Sequence, residues 1–395
     1  MIGAGIVGLA TAWRLHEQRP DLRMAVLDKE PEVGVHQTGH NSGVMHSAVT
    51  YAPGSLKARL ASEGRAALQR FCDEHAIPYD RCGKLVVATR REEVPRLADL
   101  FDRGRANGVQ DMQVLGPDEF IQIEPHVRAV RALYVPGTAI VDMRRVATTL
   151  ADLLRDAGVA LLLGRRVVHM ATAGTGVVVD TNEGSLEAGF VIACGGLQSD
   201  RLAAMAGDPD DMRIVPFRGD YAVLRPRARR LVRGLIYPVA DPALPFLGVH
   251  ATRRIDGEVW LGPNAVLAFA REGYRRHPFE RTDAFDVVRF PGTWHLARRW
   301  WRVGLQEQWR DLSKRAFVQA CRRFLPELRT RDVEWGPVGV RAQLVAADGT
   351  LIDDFVMRES ARMLHVRNAP SPGATASLAI GAEVARHALE RSDGP

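Results

Sequence analysis

The sequence predicts an α/β fold in which a Rossmann-like domain is combined with a second domain built on a mostly antiparallel sheet. Glycines occupy positions 3, 5 and 8 and are followed by apolar residues at helical spacing, which is typical of the first turn and helix of a dinucleotide-binding βαβ unit. Twenty residues after Gly8, a short apolar strand ends in Asp28, where such folds place an acid that accepts ribose hydroxyls. Between positions 214 and 259, alternating apolar residues with Pro and Gly punctuation favour antiparallel strands.

The glycine fingerprint begins almost at the first residue. Gly3 makes the tight turn, Gly5 lets the backbone approach a pyrophosphate, and Gly8 lets the helix pack closely on the sheet. Ile6 and Val7 begin the helix, whose N-terminus favours phosphate. Only two residues precede Gly3, whereas a strand usually has about 5–6 residues. We therefore expect a truncated first strand and a longer natural chain that supplies the rest of it.

Composition and charge narrow the class of protein. A chain of 395 residues predicts two domains, and its net charge of +6 favours anionic partners. No nucleic-acid-binding motif accompanies the charge, so we expect no nucleic-acid partner. The cysteines lack the paired spacing of a zinc site or disulfide framework, so no metal is predicted. No signal peptide or spanning segment is evident, which predicts a cytoplasmic protein that is at most peripheral on the inner face of the cell membrane.

The remaining elements follow from local patterns. We predict helices from Ser55 to His75, from Glu92 to Asn107, from the N-cap Asp142 to Gly158 and from Pro372 to Leu389, and strands over 82–88, 159–163, 176–180 and 190–194. The stretch from about 269 to 331 is rich in Arg and Trp and is predicted to be helical. Its tryptophans either pack inward or form a surface that lies on anionic lipid.

Several motifs, in order along nearly the whole chain, resemble one family. They are Gly39–His46 (GHNSGVMH), Tyr51–Ala58 (YAPGSLKA), Phe217–Tyr221 (FRGDY), Phe246–His250 (FLGVH), Trp260–Ala265 (WLGPNA), Gly339–Gln343 (GVRAQ) and Asn368–Thr375 (NAPSPGAT). The pattern is similar to that of L-2-hydroxyglutarate dehydrogenases (oxidases) within the D-amino-acid-oxidase-like flavoproteins.

The resemblance implies FAD rather than NAD as the cofactor. The expected FAD contacts are the glycine fingerprint with Ile6 and Val7, Asp28 and Lys29 at the adenosine ribose, His40, Asn41, Ser42 and Gly43 around the pyrophosphate and ring, Val167 at the adenine, Gly195 near the pyrophosphate, Arg341, and Gly373, Ala374 and Thr375 at the flavin. Val167 is equally explained as strand core. Gly373 is expected to open a helix whose N-terminus stabilises negative charge at flavin N1 and O2, although an ordinary helix start remains an alternative. We assign residues 1–88, 140–213 and 332–395 to the FAD-binding domain, and residues 89–139 and 214–331 to the substrate domain.

The implied reaction is oxidation of L-2-hydroxyglutarate to 2-oxoglutarate by hydride transfer to flavin N5. An α-hydroxy acid keeps its hydroxyl proton at neutral pH, so a base must accept it, and histidine suits that role. We rank His250 first as the base and expect His46 to pack beside the flavin loop. Arg218 and Arg341 are the predicted clamps for the dicarboxylate. Neutral hydrogen-bonding candidates are Tyr221 and Asn264, with Thr252 and Gln343, and Arg253 is a further cationic candidate.

Two other functions remain open at this stage. One is an amine-oxidising relative of the glycine or sarcosine oxidase kind, and the other is a defective flavin-binding protein, which the short first strand motivates. The electron acceptor is either a membrane quinone or oxygen. The oligomeric state is not determined by the sequence.

Overall fold

A computed structural model describes residues 1–208, 211–241, 248–360 and 362–392. Phe246 and Leu247, the first two residues of one motif, lie outside the described residues. The α-helices are α1 Ile6–Gln18, α2 Leu56–Glu74, α3 Val94–Ala106, α4 Pro117–Ile123, α5 Met143–Asp156, α6 Ser199–Met205, α7 Arg281–Arg289, α8 Pro291–Leu312, α9 Lys314–Cys321 and α10 Ser377–Ser392. None of these helices is long and apolar enough to cross a membrane.

The strands are β1 Ala25–Leu27, β2 Val44–Met45, β3 Tyr79–Asp80, β4 Lys84–Ala88, β5 Gln113–Leu115, β6 Arg131–Val135, β7 Ala139–Val141, β8 Ala160–Leu162, β9 Val167–Ala173, β10 Gly176–Thr181, β11 Gly184–Ala188, β12 Val191–Ala193, β13 Arg213–Leu224, β14 Leu235–Pro238, β15 His250–Arg253, β16 Val259–Gly262, β17 Val266–Leu267, β18 Val333–Val345, β19 Val356–Glu359 and β20 Met363–Asn368. They form a parallel sheet with one antiparallel edge strand, a large mixed sheet and two small sheets.

The short segment before the glycine fingerprint occupies the central position of the parallel sheet. Ile2 pairs in parallel with Leu27 on one side and Ala193 on the other. Its N–H donates to the Ile192 carbonyl at 2.8 Å, and the N–H of Gly3 donates to the Leu27 carbonyl at 2.7 Å. The sheet order is therefore β8, β1, Ile2, β12, β20 and β19, with β19 antiparallel at the edge.

Helices cover this sheet, and one of them begins at the predicted N-cap. The Asp142 carboxylate accepts from the N–H groups of Arg144 and Arg145 at the start of α5, as predicted. The Ser55 hydroxyl caps α2 by accepting from the Ala58 N–H. Helix α10 packs closely on α1, where a Cβ added at Gly381 would lie 2.6 Å from the Ala10 carbonyl carbon.

The large sheet is mostly antiparallel, as predicted. Its order is β17, β13, β16, β15, β14, β4, β6 and β5, with β18 paired along the other edge of β13. Strands β4 and β18 belong to this sheet, because β4 pairs with β14 and β6, and β18 pairs with β13. Both strands lie in ranges that were predicted to belong to the FAD-binding domain, and the boundaries at residues 88 and 332 stay a prediction.

Candidate active site

The glycine fingerprint has the close backbone packing that its prediction requires. Gly3 has φ +103°, and a Cβ there would lie 2.4 Å from the Cys194 carbonyl oxygen. A Cβ at Gly8 would lie 1.9 Å from the Gly3 carbonyl oxygen, so the helix start cannot accept a side chain there. A Cβ at Gly5 would lie 3.5 Å from its nearest neighbour, the Thr38 hydroxyl oxygen, which leaves the turn open toward α1. This cradle, with the N-terminus of α1 behind it, fits the pyrophosphate of a dinucleotide.

Asp28 stands at the end of β1, where the ribose acid was predicted. Its carboxylate accepts from the Ala4 N–H at 2.6 Å and from the Glu30 N–H at 2.9 Å, which fixes its orientation beside the glycine turn. Lys29, the next residue, makes ionic contacts with two segments of the chain. Its ammonium is held by the carboxylates of Glu30 and Glu272, the latter at 2.8 Å, and lies 2.9 Å from His36 Nε2. Lys29 therefore links the FAD-binding domain to the segment around Glu272.

The loop predicted to wrap the cofactor is held by its own hydrogen bonds. The Asn41 side chain donates to the Thr38 carbonyl at 2.7 Å and accepts from the Gly43 N–H at 2.8 Å. His40 stacks on Tyr274 with the ring centroids 3.7 Å apart. Ser42 lies within the same turn and is partly buried. The loop therefore has one defined shape between the two domains.

The remaining predicted FAD residues lie around the same cradle. Gly195 comes two residues after the end of β12, and its nitrogen is 3.7 Å from the Cβ position of Gly3, which places it beside the fingerprint turn. The Val167 side chain packs in the core with Ile2 and Leu27, as the strand-core alternative predicted. This packing leaves its backbone as the part that a ligand would meet.

The C-terminal motif is a turn that leads into α10. Gly373 and Ala374 lie in this turn, and the helix begins at Ser377, four residues after Gly373, which was expected to open it. The Thr375 hydroxyl donates to the Val44 carbonyl at 3.1 Å and accepts from the His46 N–H at 3.1 Å. Thr375 therefore fixes His46 next to the N-terminus of α10.

One face of the large sheet carries a row of polar side chains from neighbouring strands. Lys84 pairs with Leu235 and Leu235 with Thr252, so these residues share a face with Tyr237 and His250, two positions along their strands. Leu235 and Tyr237 pack with Val44 and Ile140 of β2 and β7. This face is therefore turned toward the FAD-binding domain.

His250 has the geometry of a neutral base. Its Nδ1 lies 3.0 Å from the Gly248 carbonyl, which can only accept, so Nδ1 carries the proton and Nε2 keeps a lone pair. The ring is 5% exposed and stacks on Tyr237 with the centroids 4.0 Å apart. Burial lowers the pKa of His250 to about 4, and the positive charges of Arg341 and Lys84 add to this effect.

His46 lies within electrostatic reach of Lys84 and His250. Burial lowers its pKa to about 3, with contributions from the charges of Lys84 and His250. Arg341 and Tyr221 belong to the same group of residues, because the positive charge of Arg341 influences the pKa values of His250, Tyr221 and Tyr237. The structure thus brings together His250, His46, Arg341 and Tyr221 from four separate segments of the chain.

A family model described as FAD dependent oxidoreductase (DAO) matches residues 1–387. The chain belongs to this FAD-dependent oxidoreductase family. L-2-hydroxyglutarate dehydrogenase of Indibacter alkaliphilus is 44% identical over 392 residues, with 99% of this chain and 98% of that protein covered. The mitochondrial L-2-hydroxyglutarate dehydrogenases of Nematostella vectensis and Homo sapiens are 45% and 43% identical, each covering 99% of this chain and 90% and 88% of those proteins.

Solved structures confirm the fold of this oxidoreductase. FAD-bound L-α-glycerophosphate oxidase from Mycoplasma pneumoniae has a TM-score of 0.79 at 22% identity, over 100% of this chain and 94% of that one. Glycine oxidase from Geobacillus kaustophilus has a TM-score of 0.72 at 18% identity, with the same coverage. The predicted family, fold class and FAD cofactor are confirmed by these matches.

Two predicted substrate residues of the oxidoreductase lie on the other side of the sheet. Arg341 pairs with Phe217 whereas Arg218 pairs with Val340, so the two arginines project from opposite faces. Arg218 donates to Asp220 at 2.9 Å and to Asp311 at 2.6 Å, both fully buried. Asn264 accepts from the Asp220 N–H at 2.6 Å in the same cluster. This ion cluster joins the sheet to α8, so we leave Arg218 and Asn264 out of the catalytic group.

The oxidoreductase also has site residues that sequence reasoning missed. Lys84 and Tyr237 lie in strands that read as ordinary apolar runs. A lysine that opens a fully buried strand is the signal that was available for Lys84, since charged residues are rarely buried without a partner. Tyr237 carried no such signal, because a tyrosine in a strand is usual.

Proposed function

We propose that this oxidoreductase converts L-2-hydroxyglutarate to 2-oxoglutarate. The observation that carries the proposal is the likeness to L-2-hydroxyglutarate dehydrogenases at 42–45% identity over 97–99% of the chain. The site agrees with this reaction chemically, because the buried Lys84, the partly buried Arg341 and a neutral histidine share the sheet face that is turned toward the FAD-binding domain. An anionic hydroxy acid needs both charges to bind and a base to lose its proton.

Each residue of the site has a defined part in this proposal. FAD, when bound, supplies the two-electron acceptor for the hydride of the substrate carbon. Arg341 binds the carboxylate next to the reacting carbon, because its guanidinium matches a carboxylate with two parallel hydrogen bonds. His250 Nε2 accepts the hydroxyl proton while Gly248 holds Nδ1. Tyr237 and Tyr221, both buried, keep water away from the base.

Anaerobic mixing tests the proposal directly. We expect the yellow holoenzyme to be bleached rapidly by L-2-hydroxyglutarate and not by the D enantiomer, and the product to be 2-oxoglutarate. Bleaching by sarcosine or glycine with L-2-hydroxyglutarate inert would show an amine oxidase instead. A colourless protein that cannot be reconstituted with FAD would show a defective flavin-binding protein.

We further propose that the enzyme, in the cytoplasm, docks on anionic lipid through α7 and α8 and passes electrons to a membrane quinone. The predicted Trp/Arg segment is helical, and its tryptophans do not all pack inward: Trp294, Trp301 and Trp309 are 61%, 55% and 63% exposed. Exposed apolar residues at 301, 305, 309 and 312 lie on one face of α8. Arg298, Arg299 and Arg302 are exposed beside them and complement anionic headgroups.

Flotation with vesicles tests the docking surface. The holoenzyme is expected to float with phosphatidylglycerol vesicles at low salt and to bind phosphatidylcholine vesicles less. Changing Trp294, Trp301 and Trp309 together to Ser should abolish flotation and leave anaerobic flavin reduction unchanged. Val168→Ser, at a 50% exposed residue of β9, is the matched control and should float like the parent. Flotation of the triple variant at the parental level would refute the docking surface.

A further inference from the structure

Lys84 is a buried cation that has no counterion among the residues that the structure describes. It opens β4 with 4% exposure, in a strand whose five residues are all buried. Within the described part of the chain, no carboxylate lies at ion-pair distance from its ammonium; the contact is with the Tyr237 ring, 5.4 Å from Nζ to the centroid. Burying an ammonium without a partner is costly, so a lysine in this state is expected to receive an anion.

The surroundings of Lys84 are neutral or positive. Its ordinary pKa falls to about 8 through burial, so it remains mostly protonated at neutral pH. The neighbours His46 and His250 are uncharged at that pH, since burial lowers the pKa of each well below its usual range. Glu307, the carboxylate whose charge acts on Arg341, is itself paired with Arg310 and accepts from the Ala265 N–H. Neither histidine therefore offers Lys84 a negative charge.

The two cations stand on either side of the base. Both Arg341 and Lys84 lower the pKa of His250, so each lies within electrostatic reach of the imidazole. Arg341 comes from β18 and Lys84 from β4, with β15, which carries His250, between them in the sheet order. A ligand with an anionic group at each end of its chain matches this arrangement, whereas a monocarboxylate bound at Arg341 would bring no negative charge to Lys84.

We propose that Lys84 binds the distal carboxylate of the substrate and thereby selects dicarboxylic over monocarboxylic 2-hydroxy acids. The inference rests on the proposed function and deepens it. Arg341 then holds the carboxylate next to the hydroxyl, and Lys84 holds the carboxylate at the other end. The carbon that is oxidised lies between them, beside His250. Lys84 acts here as a specificity residue, and the proton acceptor remains His250.

Comparison of two substrates tests Lys84. L-2-Hydroxyvalerate has the carbon chain of L-2-hydroxyglutarate with a methyl group in place of the distal carboxylate. In the Lys84→Met holoenzyme, we expect kcat/KM for L-2-hydroxyglutarate to fall about 100-fold, mainly through KM, the effect of losing one charge-assisted contact. The value for L-2-hydroxyvalerate should change by less than about threefold, because that substrate has no group for Lys84. Lys84→Arg should restore part of the preference.

Lys57→Met is the matched control, because Lys57 is also a buried lysine but is paired with Asp353 at 2.7 Å. It should leave the ratio of the two kcat/KM values unchanged. Glutarate binding, followed by its perturbation of the flavin spectrum, gives a readout without turnover. In the parent, glutarate affinity should fall above about pH 8, where Lys84 loses its proton, while valerate affinity should not.

The outcomes separate the two proposals. If Lys84→Met oxidises L-2-hydroxyglutarate with the parental preference, and glutarate affinity is independent of pH up to 9, the Lys84 subsite is refuted while the proposed function stands. If the parent fails to oxidise L-2-hydroxyglutarate, the proposed function is refuted first. If both substrates lose activity equally in Lys84→Met, with FAD content unchanged, Lys84 acts on the base or flavin rather than on the distal carboxylate.

Discussion

At the scale of single residues, the proposed chemistry depends on the protonation of one histidine, His250. The Gly248 carbonyl fixes the tautomer of His250, and burial keeps the ring neutral. The lone pair on Nε2 is therefore available without a prior deprotonation step. A base prepared in this way needs no neighbouring carboxylate to orient it, since the backbone already does so.

His250→Gln should slow anaerobic flavin reduction by L-2-hydroxyglutarate by about 10²–10⁴-fold, the usual contribution of a general base. The amide of glutamine retains hydrogen bonding but cannot accept the proton. Stopped-flow absorbance measures the rate, and the FAD content of the purified variant should equal that of the parent. His295→Gln, on the exposed surface of α8, is the control and should react at the parental rate. Flavin reduction in the His250 variant at the parental rate would show that His250 is not the base, and His46 would then be the next candidate.

The two motif arginines are expected to respond differently to the same change. Arg341→Lys should raise KM for L-2-hydroxyglutarate about 10–100-fold, because an ammonium cannot replace the paired hydrogen bonds of the guanidinium. Arg218→Lys should leave KM near the parental value and lower the unfolding free energy by about 2–4 kcal/mol, because Arg218 holds the buried carboxylates of Asp220 and Asp311. Steady-state kinetics and urea unfolding measure the two effects. A raised KM in Arg218→Lys with normal stability would return Arg218 to the substrate site.

At the scale of elements, the contact between α1 and α10 depends on a glycine. The Cβ position of Gly381 lies 2.6 Å from the Ala10 carbonyl carbon, and backbone atoms cannot move aside as a flexible side chain can. Gly381→Ala should therefore separate the helices and destabilise the protein by about 1–3 kcal/mol, against the helix-favouring effect of alanine. Gly304→Ala in α8 is the control, because no atom lies within 4 Å of its Cβ position. It should stabilise by about 0.5–1 kcal/mol. Chemical unfolding measures both, and equal stabilities would contradict the close helix contact.

Local sequence patterns predicted individual helices and strands better than they predicted which strands pair with one another. The cap at Asp142 and the helix start at Ser55 could be predicted, because each depends on a side chain and the backbone within three residues of it. The pairing of the strands was not predicted, since it joins segments such as Lys84 and Leu235 that are distant in sequence. The motif arginines were indistinguishable for the same reason. Only the register of β13 against β18 shows that Arg218 and Arg341 face opposite sides.

At the scale of the whole molecule, the site lies where the two domains meet. Arg254 of the large sheet donates to the Asn41 carbonyl at 2.9 Å and stacks over Trp260, 3.8 Å from the ring centroid. A Cβ at Gly339 would lie 2.7 Å from the His40 carbonyl oxygen, so β18 closely approaches the cofactor loop. The fold thus joins the cofactor loop to the sheet face that carries Arg341 and His250, and polar groups become buried between the layers.

That burial has a consequence for stability against acid. In the folded protein the pKa of His46 is lowered to about 3 and that of His250 to about 4, whereas each would titrate near 6.5 in the unfolded chain. Between these values the unfolded chain binds more protons than the folded protein, so the unfolding free energy must fall as the pH falls below about 6.5. Above that pH neither state is protonated at these rings, and their contribution is constant.

Each histidine is expected to lower the unfolding free energy by up to about 1.4 kcal/mol for each pH unit between 6.5 and its pKa in the folded protein. Urea unfolding of the holoenzyme at pH 7.0, 6.0 and 5.0, with FAD in excess, measures the slope. His250→Gln and His46→Gln should each flatten it, and the double variant should flatten it further, because glutamine takes up no proton in either state. His169→Gln, at an exposed histidine of β9, should keep the parental slope. Parallel slopes in all variants would mean that other groups govern acid sensitivity and that the two site histidines are not held neutral by the fold.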